Sequence, residues 1–487
     1  MNVTRVVPVA KAKHMQALAS FPAYQRENLC CGIAHLGLGN FHRSHQALYL
    51  HKLLQKKPQN WMIHAIGMRS GSIPLITAMR SQDNLYTLTE RSGTEDTIQV
   101  IGAIKEVSHG PSETESVIDI LSQNTIKIIS MTVTEKGYCN TPTGDLDTED
   151  KLIKQDLLHS ALPLTMLGYL FAVAEKRMSN GGRPFTIMSC DNLPGNGNFT
   201  ERLLLQFSEL KNPKVTRWIR ENISFPNSMV DRITPATTDA LRSFIAKKFD
   251  IVDNCPVMSE AFIQWVLEDK FIAGRPELEK VGVQFVPNVK PYEVLKTRML
   301  NGAHSALSYV SYLMNYRNVD VAMGDPLIYE YLKCYMDEDI TPTISDLPRI
   351  DIEEYKVTLR KRFSNPAVSD QIQRIAMDGS TKIKMFIVPP LAQKLNEGGS
   401  IRWMVFALAA WCKYLSGVDE AGHTIEIIDP LQDELVGHVP DASSLLSKHE
   451  IFGSEVAKNK RLLTELDTLL RSINNIGTKK TLQKLLA

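Results

Sequence analysis

Apolar positions in the first half of the chain cluster in short runs separated by stretches of helical periodicity. Gly32–Gly37 reads as a strand, followed by a helix through His45 to Leu54. Trp61–Met68, Ile126–Val133 and Phe185–Cys190 read as further strands. Strands separated by helices imply parallel pairing and an α/β, doubly wound sheet. Between Thr200 and Glu279 the pattern becomes more helical and mixed. From about Pro291 a helical period dominates, over Tyr292–Met314, Leu327–Met336, Ile352–Phe363, Arg402–Leu415 and Lys458–Ile473. The pattern predicts a nucleotide-binding α/β domain over residues 1–288 and a mainly α-helical substrate or catalytic domain over residues 289–487. A hinge between two such domains is where a substrate cleft is expected.

Composition narrows the function class. Hydrophobic residues make up 43% and charged residues 22% of the 487, the balance of a folded protein. The formal net charge of +1 gives no basic field for nucleic acid. The longest apolar run, Trp403–Cys412, is too short to cross a bilayer and reads as a buried helix. Residues 1–13 lack the apolar core of a signal peptide. The seven cysteines are scattered without a CxxC pair, which points to neither a disulfide framework nor a structural zinc site, and the cytoplasm is the expected location.

The first strand runs into Gly37-Leu-Gly39-Asn-Phe-His42. One glycine there suits a tight turn. The next leaves room for a pyrophosphate, and the following helix offers N–H groups to it. His42 replaces the third glycine of that fingerprint, so a plain strand-to-helix turn is the competing reading. The second strand ends Met68-Arg69-Ser-Gly-Ser72 with no carboxylate for a ribose. Arg69 and the serines could meet a 2′-phosphate, or Arg69 could be a solvated loop residue, and NAD and NADP both stay open. His42 and His45 share a helix face beside this turn, where they orient the loop or touch the cofactor; no convincing zinc ligand set is present.

The segment from Phe285 to Leu307 carries the candidate chemistry. At about 100° per residue, Glu293, Lys296 and His304 fall on one helix face. Asn301 lies further round, and a local distortion near Gly302 is needed to bring it in. Val294, Leu295, Met299, Leu300, Ala303 and Leu307 would desolvate the lysine and, with Arg298 or a nicotinamide nearby, disfavour its ammonium form. A neutral lysine can take a hydroxyl proton while hydride leaves for a nicotinamide. Each residue also has a plain structural reading: a surface lysine, a packing histidine, and Asn301-Gly302 as a helix end.

Six segments carry a specific resemblance. They are His35–Gln46, Thr132–Tyr138, Ser189–Asn196, Phe225–Pro235, Lys296–His304 and Ile375–Lys382, in order along nearly the whole chain. In them the chain resembles the polyol-specific long-chain dehydrogenases, the mannitol dehydrogenase family. The resemblance implies a Rossmann-type N-terminal domain, a mostly helical C-terminal domain and no catalytic metal. It implies Lys296 as general base, with Asn192, Asn301 and His304 completing the site and Glu293 relaying the proton. Asp231, Arg374 and Lys382 are similar to residues that bind the sugar chain, although Asp231 and Arg232 could be a structural ion pair. Cofactor contacts are expected at Gly37, Leu38, Gly39, Asn40, Phe41, His42, Arg43, Arg69, Thr134 and Glu135.

The implied activity is NAD(P)-linked interconversion of D-mannitol and D-fructose by hydride transfer at C2. Asp325–Thr343 and Ser369–Arg374 look closer to the mannitol branch, with Arg374 pivotal. The alternatives are reduction of D-fructuronate, oxidation of another polyol such as D-arabinitol, or a nucleotide-sensing protein without turnover. The partners expected are a sugar alcohol or keto-sugar, with no nucleic acid or membrane. A monomer is compatible with two domains of this size.

Overall fold

The computed structural model describes residues 7–9, 20–92, 96–158, 162–345, 347, 350–368, 370–439 and 441–487. Ser369 and most of the stretch 1–13 lie outside the described residues. The chain divides into two units, Met1–Lys290 and Pro291–Ala487.

In the first unit, apolar residues on both faces of a strand call for a sheet covered on both sides. Its main sheet holds β1 (Cys31–Leu36), β2 (Met62–Gly67), β3 (Ile104–His109), β4 (Ile128–Met131), β5 (Phe185–Ser189) and β6 (Ile223–Ser224). All pair in parallel, in the spatial order β3-β2-β1-β4-β5-β6. That is the Rossmann order, and the strand order reverses between β1 and β4, leaving a crevice at their C-terminal ends. Side-chain alternation sets the two cores. Ile33 packs with Leu48, Leu53, Met62 and Ile104. Ala34 and Leu36, on the opposite face, pack with Ile129, Phe171, Ile187 and Phe207.

Strands outside the predicted set also form. β3 belongs to the main sheet. Tyr86–Arg91 pairs antiparallel with Asp96–Ile101 and parallel with Val257–Glu260. Ser228–Asp231 pairs antiparallel with Gln264–Glu268, which runs parallel to Gln284–Val286. Their polar residues hid them. Thr87 and Thr89 are fully buried, and Thr87 is satisfied there by Asp253, whose carboxylate accepts from its N–H and hydroxyl at 2.5 and 2.8 Å.

The helix predicted through His45 is broken at that residue. Asn40–Ser44 and Gln46–Lys56 are separate helices, with His45 at φ −117°, ψ −85° between them. The His45 ring stacks on Phe41 and its Nε2 lies 2.9 Å from the Gln264 carbonyl, so tertiary bonding holds the break.

The second unit is helical. Arg402–Tyr414 is apolar on nearly every side and packs between Gly302–Leu313 and Lys460–Ile476, as a helix without a polar face must. Three of its helices contain a π-turn, with backbone bonds reaching five residues back: Lys296–Asn301, Tyr335–Ile340 and Ile383–Ile387. Such turns are rare and concentrate at functional sites.

Candidate active site

In the first unit, the ends of β1, β2, β4 and β5 meet at the crevice. Gly37 follows β1 with φ +110°, and a Cβ on it would lie 2.1 Å from the Thr132 carbonyl oxygen, so only glycine fits. A Cβ on Gly39 would meet nothing nearer than the Gly37 carbonyl at 3.8 Å. The space in front of the turn is therefore the kind a phosphate group needs. His35 ties β1 to β4: its Nδ1 lies 2.8 Å from Ser130 Oγ and its Nε2 2.9 Å from Thr132 Oγ1, and Thr132 Oγ1 donates to the Gly37 carbonyl.

The loop after β4 is clamped by Asp191, which follows β5. Its carboxylate accepts from the Val133 and Thr134 N–H groups at 3.2 and 2.8 Å and from the Tyr138 hydroxyl at 2.8 Å. Burial raises its pKa, and these bonds oppose the rise. The clamp holds Thr134 at φ +66°, a conformation a β-branched residue adopts only when its surroundings impose it. Thr134 and Glu135 are exposed there, and Arg69, exposed at the end of β2, donates to Thr134 Oγ1 at 3.2 Å. Asn192 is exposed beside Asp191. Sequence reasoning missed Asp191, Thr132 and His35, although all three stand inside the quoted segments.

The turn residues divide by burial. Gly37, Gly39, Asn40 and Phe41 are partly exposed, and Leu38 is buried. His42 is fully buried and stacked on His35 with ring centroids 3.5 Å apart. Burial, then the neighbouring His35 and Arg43, holds His42 well below the usual histidine range. Arg43 donates to the Cys255 carbonyl and to Asn40 Oδ1 and receives Tyr86 on its own carbonyl. With both side chains turned into the fold, His42 can offer a ligand its backbone N–H, whereas that of Arg43 donates to the Gly39 carbonyl at 3.2 Å. Asp231 is buried in the strand Ser228–Asp231. Its neighbour Arg232 pairs with Glu90 and donates to the Ser44 and Glu260 carbonyls.

In the second unit the distortion that Asn301 requires is present. Lys290–Leu295 is an α-helix that continues as the π-turn Lys296–Asn301, and the Gly302 N–H reaches back to the Thr297 carbonyl. A bond spanning five residues brings residue i+5 over residue i, so Asn301 is rotated back above Lys296. Glu293 stands one turn before Lys296, and His304 one turn after Asn301, so the four form a file along the helix. Lys296 and Glu293 are buried, 8% and 9% exposed, as are Leu295, Met299, Leu300 and Ala303 of the same segment. The amide nitrogen of Asn301 is buried without a hydrogen-bond partner among the described residues. The His304 ring stacks on Phe363 with centroids 4.0 Å apart. Arg298 anchors the turn by donating to the Thr343 carbonyl and Gln393 Oε1, each at 2.7 Å.

Arg374 is exposed on Ile372–Ala376 and pairs with Asp370 through two nitrogens, Nε at 2.8 Å. Lys382 donates to the Ile375 carbonyl at 2.8 Å. Burial lowers its pKa, opposed by Asp378 and reinforced by nearby Arg374. Among the described residues no three His, Cys, Asp or Glu side chains group as metal ligands, and no helix is long and apolar enough to cross a membrane.

Comparison with known proteins follows the same division. The family model described as Mannitol dehydrogenase Rossmann domain matches residues 31–280, and that described as Mannitol dehydrogenase C-terminal domain matches residues 288–474. An Aspergillus fumigatus mannitol 2-dehydrogenase is 41% identical over 480 residues, covering 96% of each chain. A Saccharomyces cerevisiae mannitol dehydrogenase is 38% identical over 97% of this chain and 96% of its own. Among solved structures, the Pseudomonas fluorescens mannitol 2-dehydrogenase in ternary complex with NAD and D-mannitol superposes with a TM-score of 0.90 at 39% identity, covering 99% of each chain. A substrate-free D-sorbitol dehydrogenase gives a TM-score of 0.90 at 34% identity over 98% of this chain and 100% of its own. The fold, the two matched regions and the full-length identity agree, and the chain belongs to the mannitol dehydrogenase family.

Proposed function

We propose that this protein catalyses the reversible NAD-linked oxidation of D-mannitol to D-fructose at C2. The observation that carries this reading is the full-length likeness, at 39% identity and a TM-score of 0.90, to an enzyme solved with NAD and D-mannitol. The first unit fits the cofactor: the open face of Gly39 and the glycine-only turn at Gly37 leave room for a pyrophosphate. Arg69, Thr134 and Glu135 stand exposed beside it. The nicotinamide, when bound, supplies the acceptor for the C2 hydride.

In this reading Lys296 takes the proton of the C2 hydroxyl as that hydride leaves, and Glu293, one turn away, passes the proton on. Asn192 and Asn301 donate hydrogen bonds to the C2 oxygen and stabilise its developing charge. His304, held by Phe363, adds a further bond to that oxygen. Asp231, Arg374 and Lys382 hold the hydroxyl chain. The Asp370 carboxylate already neutralises Arg374, which favours an uncharged polyol over a hexuronate. All seven cysteines are free thiols, which fits the reducing cytoplasm.

The test is a spectrophotometric assay of nicotinamide reduction with D-mannitol, D-sorbitol, D-arabinitol and D-mannonate, each with NAD and NADP. D-mannitol with NAD is expected to give the highest kcat/KM. Turnover of D-mannonate alone would move the protein to the hexuronate branch, and a clear preference for D-sorbitol or D-arabinitol would replace the substrate while leaving the chemistry.

A further inference from the structure

Two buried polar groups near the proposed catalytic file have nothing to bond to. One is the Asn301 amide nitrogen and the other is the Tyr335 hydroxyl, neither with a hydrogen-bond partner among the described residues. Tyr335 is fully buried and opens the second π-turn, Tyr335–Ile340, which packs against the first, Lys296–Asn301. The two meet at Gly302, the residue after Asn301. A Cβ on Gly302 would lie 2.6 Å from the Tyr335 hydroxyl and 3.4 Å from the Phe386 carbonyl of the third π-turn, Ile383–Ile387. Glycine at 302 thus lets a phenol oxygen sit against the backbone beside Asn301.

An unpaired hydroxyl in a closed interior is unfavourable. Phenylalanine would fill nearly the same volume without that penalty, so packing alone does not account for the oxygen. An asparagine amide carries two N–H donors, and a tyrosine hydroxyl both accepts and donates. We propose that Tyr335 is a positioning residue for Asn301: its oxygen accepts one amide hydrogen through a single bridging water, and so aims the other at the substrate oxygen. The packing of the π-turns sets the Tyr335 hydroxyl against Gly302, the residue next to Asn301. This inference rests on the role given to Asn301 above.

The test compares Tyr335→Phe, Asn301→Ala and the double variant in the full-length protein with NAD and D-mannitol, reading kcat, KM for both reactants and thermal midpoint. Tyr335→Phe is expected to lower kcat on the order of ten-fold with KM for NAD unchanged and the midpoint equal or higher. A residue that merely supported the fold would lower the midpoint instead. In the Asn301→Ala background the second substitution should change kcat less than about two-fold, because groups acting as a unit are not additive. Wild-type kcat in Tyr335→Phe, a fall in midpoint matching the loss of rate, or a further ten-fold loss in the double variant would each overturn the proposal. Asn301→Ala at the wild-type rate would overturn both this proposal and the role of Asn301; a slow Asn301→Ala beside an unaffected Tyr335→Phe would overturn this proposal alone.

Discussion

At Lys296 chemistry and burial meet in one side chain. The lysine is 8% exposed, in a segment whose Leu295, Met299, Leu300 and Ala303 are also buried, yet the proposed mechanism has it exchange a proton with solvent. In that proposed mechanism Glu293, one turn away, resolves the conflict by passing the proton on. General acid–base groups contribute roughly 10²–10⁴-fold to rate, so Lys296→Ala should lose that much kcat while NAD affinity, measured by fluorescence titration, is retained. Turnover near wild type at neutral pH would remove the lysine from the mechanism. Gly37 shows the opposite kind of constraint, a residue defined by what it lacks. Neither its φ of +110° nor its approach to the Thr132 carbonyl tolerates a Cβ.

At the scale of elements, the second unit depends on how its π-turns are held. Asp339, in the turn Tyr335–Ile340, accepts from the Trp403 and Met404 N–H groups at 2.9 and 2.8 Å at the start of the buried helix Arg402–Tyr414. A capping side chain is worth about 0.5–2 kcal/mol. Asp339→Ala, which strands two buried N–H groups, should cost about 2 kcal/mol or more of stability, read from the midpoint of chemical denaturation. An unchanged midpoint would mean that this contact does not carry the junction. In the first unit the break at His45 is similarly secured by neighbours, through Phe41 and the Gln264 carbonyl.

At the scale of the whole molecule, buried titratable groups give the two units opposite responses to acid. In the first, burial lowers His35 to about 3 and His51 to about 4. Folded, both stay neutral while the unfolded chain takes up protons below about 6.5. Stability is therefore full above 6.5 and is lost as pH falls, by about 1.4 kcal/mol for each at pH 5.5. In the second, burial raises Asp339 to about 7, so its contribution is full below about 4 and is lost as pH rises through 7. Segment-resolved hydrogen exchange, corrected for intrinsic rates, should show β1–β5 losing protection between pH 7.5 and 5.5 while Arg402–Tyr414 gains it. Parallel changes in both units would refute this assignment.

Sequence alone determined the parts whose signal is local. The strands β1, β2, β4 and β5 read as apolar runs because both their faces are buried. The helix Ile352–Phe363 appeared at its observed bounds because period and caps coincide, and the glycine turn and the segment around Lys296 were legible as motifs. Angular spacing alone also showed that Asn301 needed a distortion. Tertiary structure decided what depends on distant partners. It placed polar strands such as Tyr86–Arg91 in a sheet, because Asp253 satisfies Thr87 there. It broke the helix at His45, turned His42 and Arg43 inward and set Asp191 to clamp the loop holding Thr134. It also brought three π-turns to Gly302. Periodicity records which face of an element is buried; which residue meets a buried polar atom is set by packing between segments far apart in the chain.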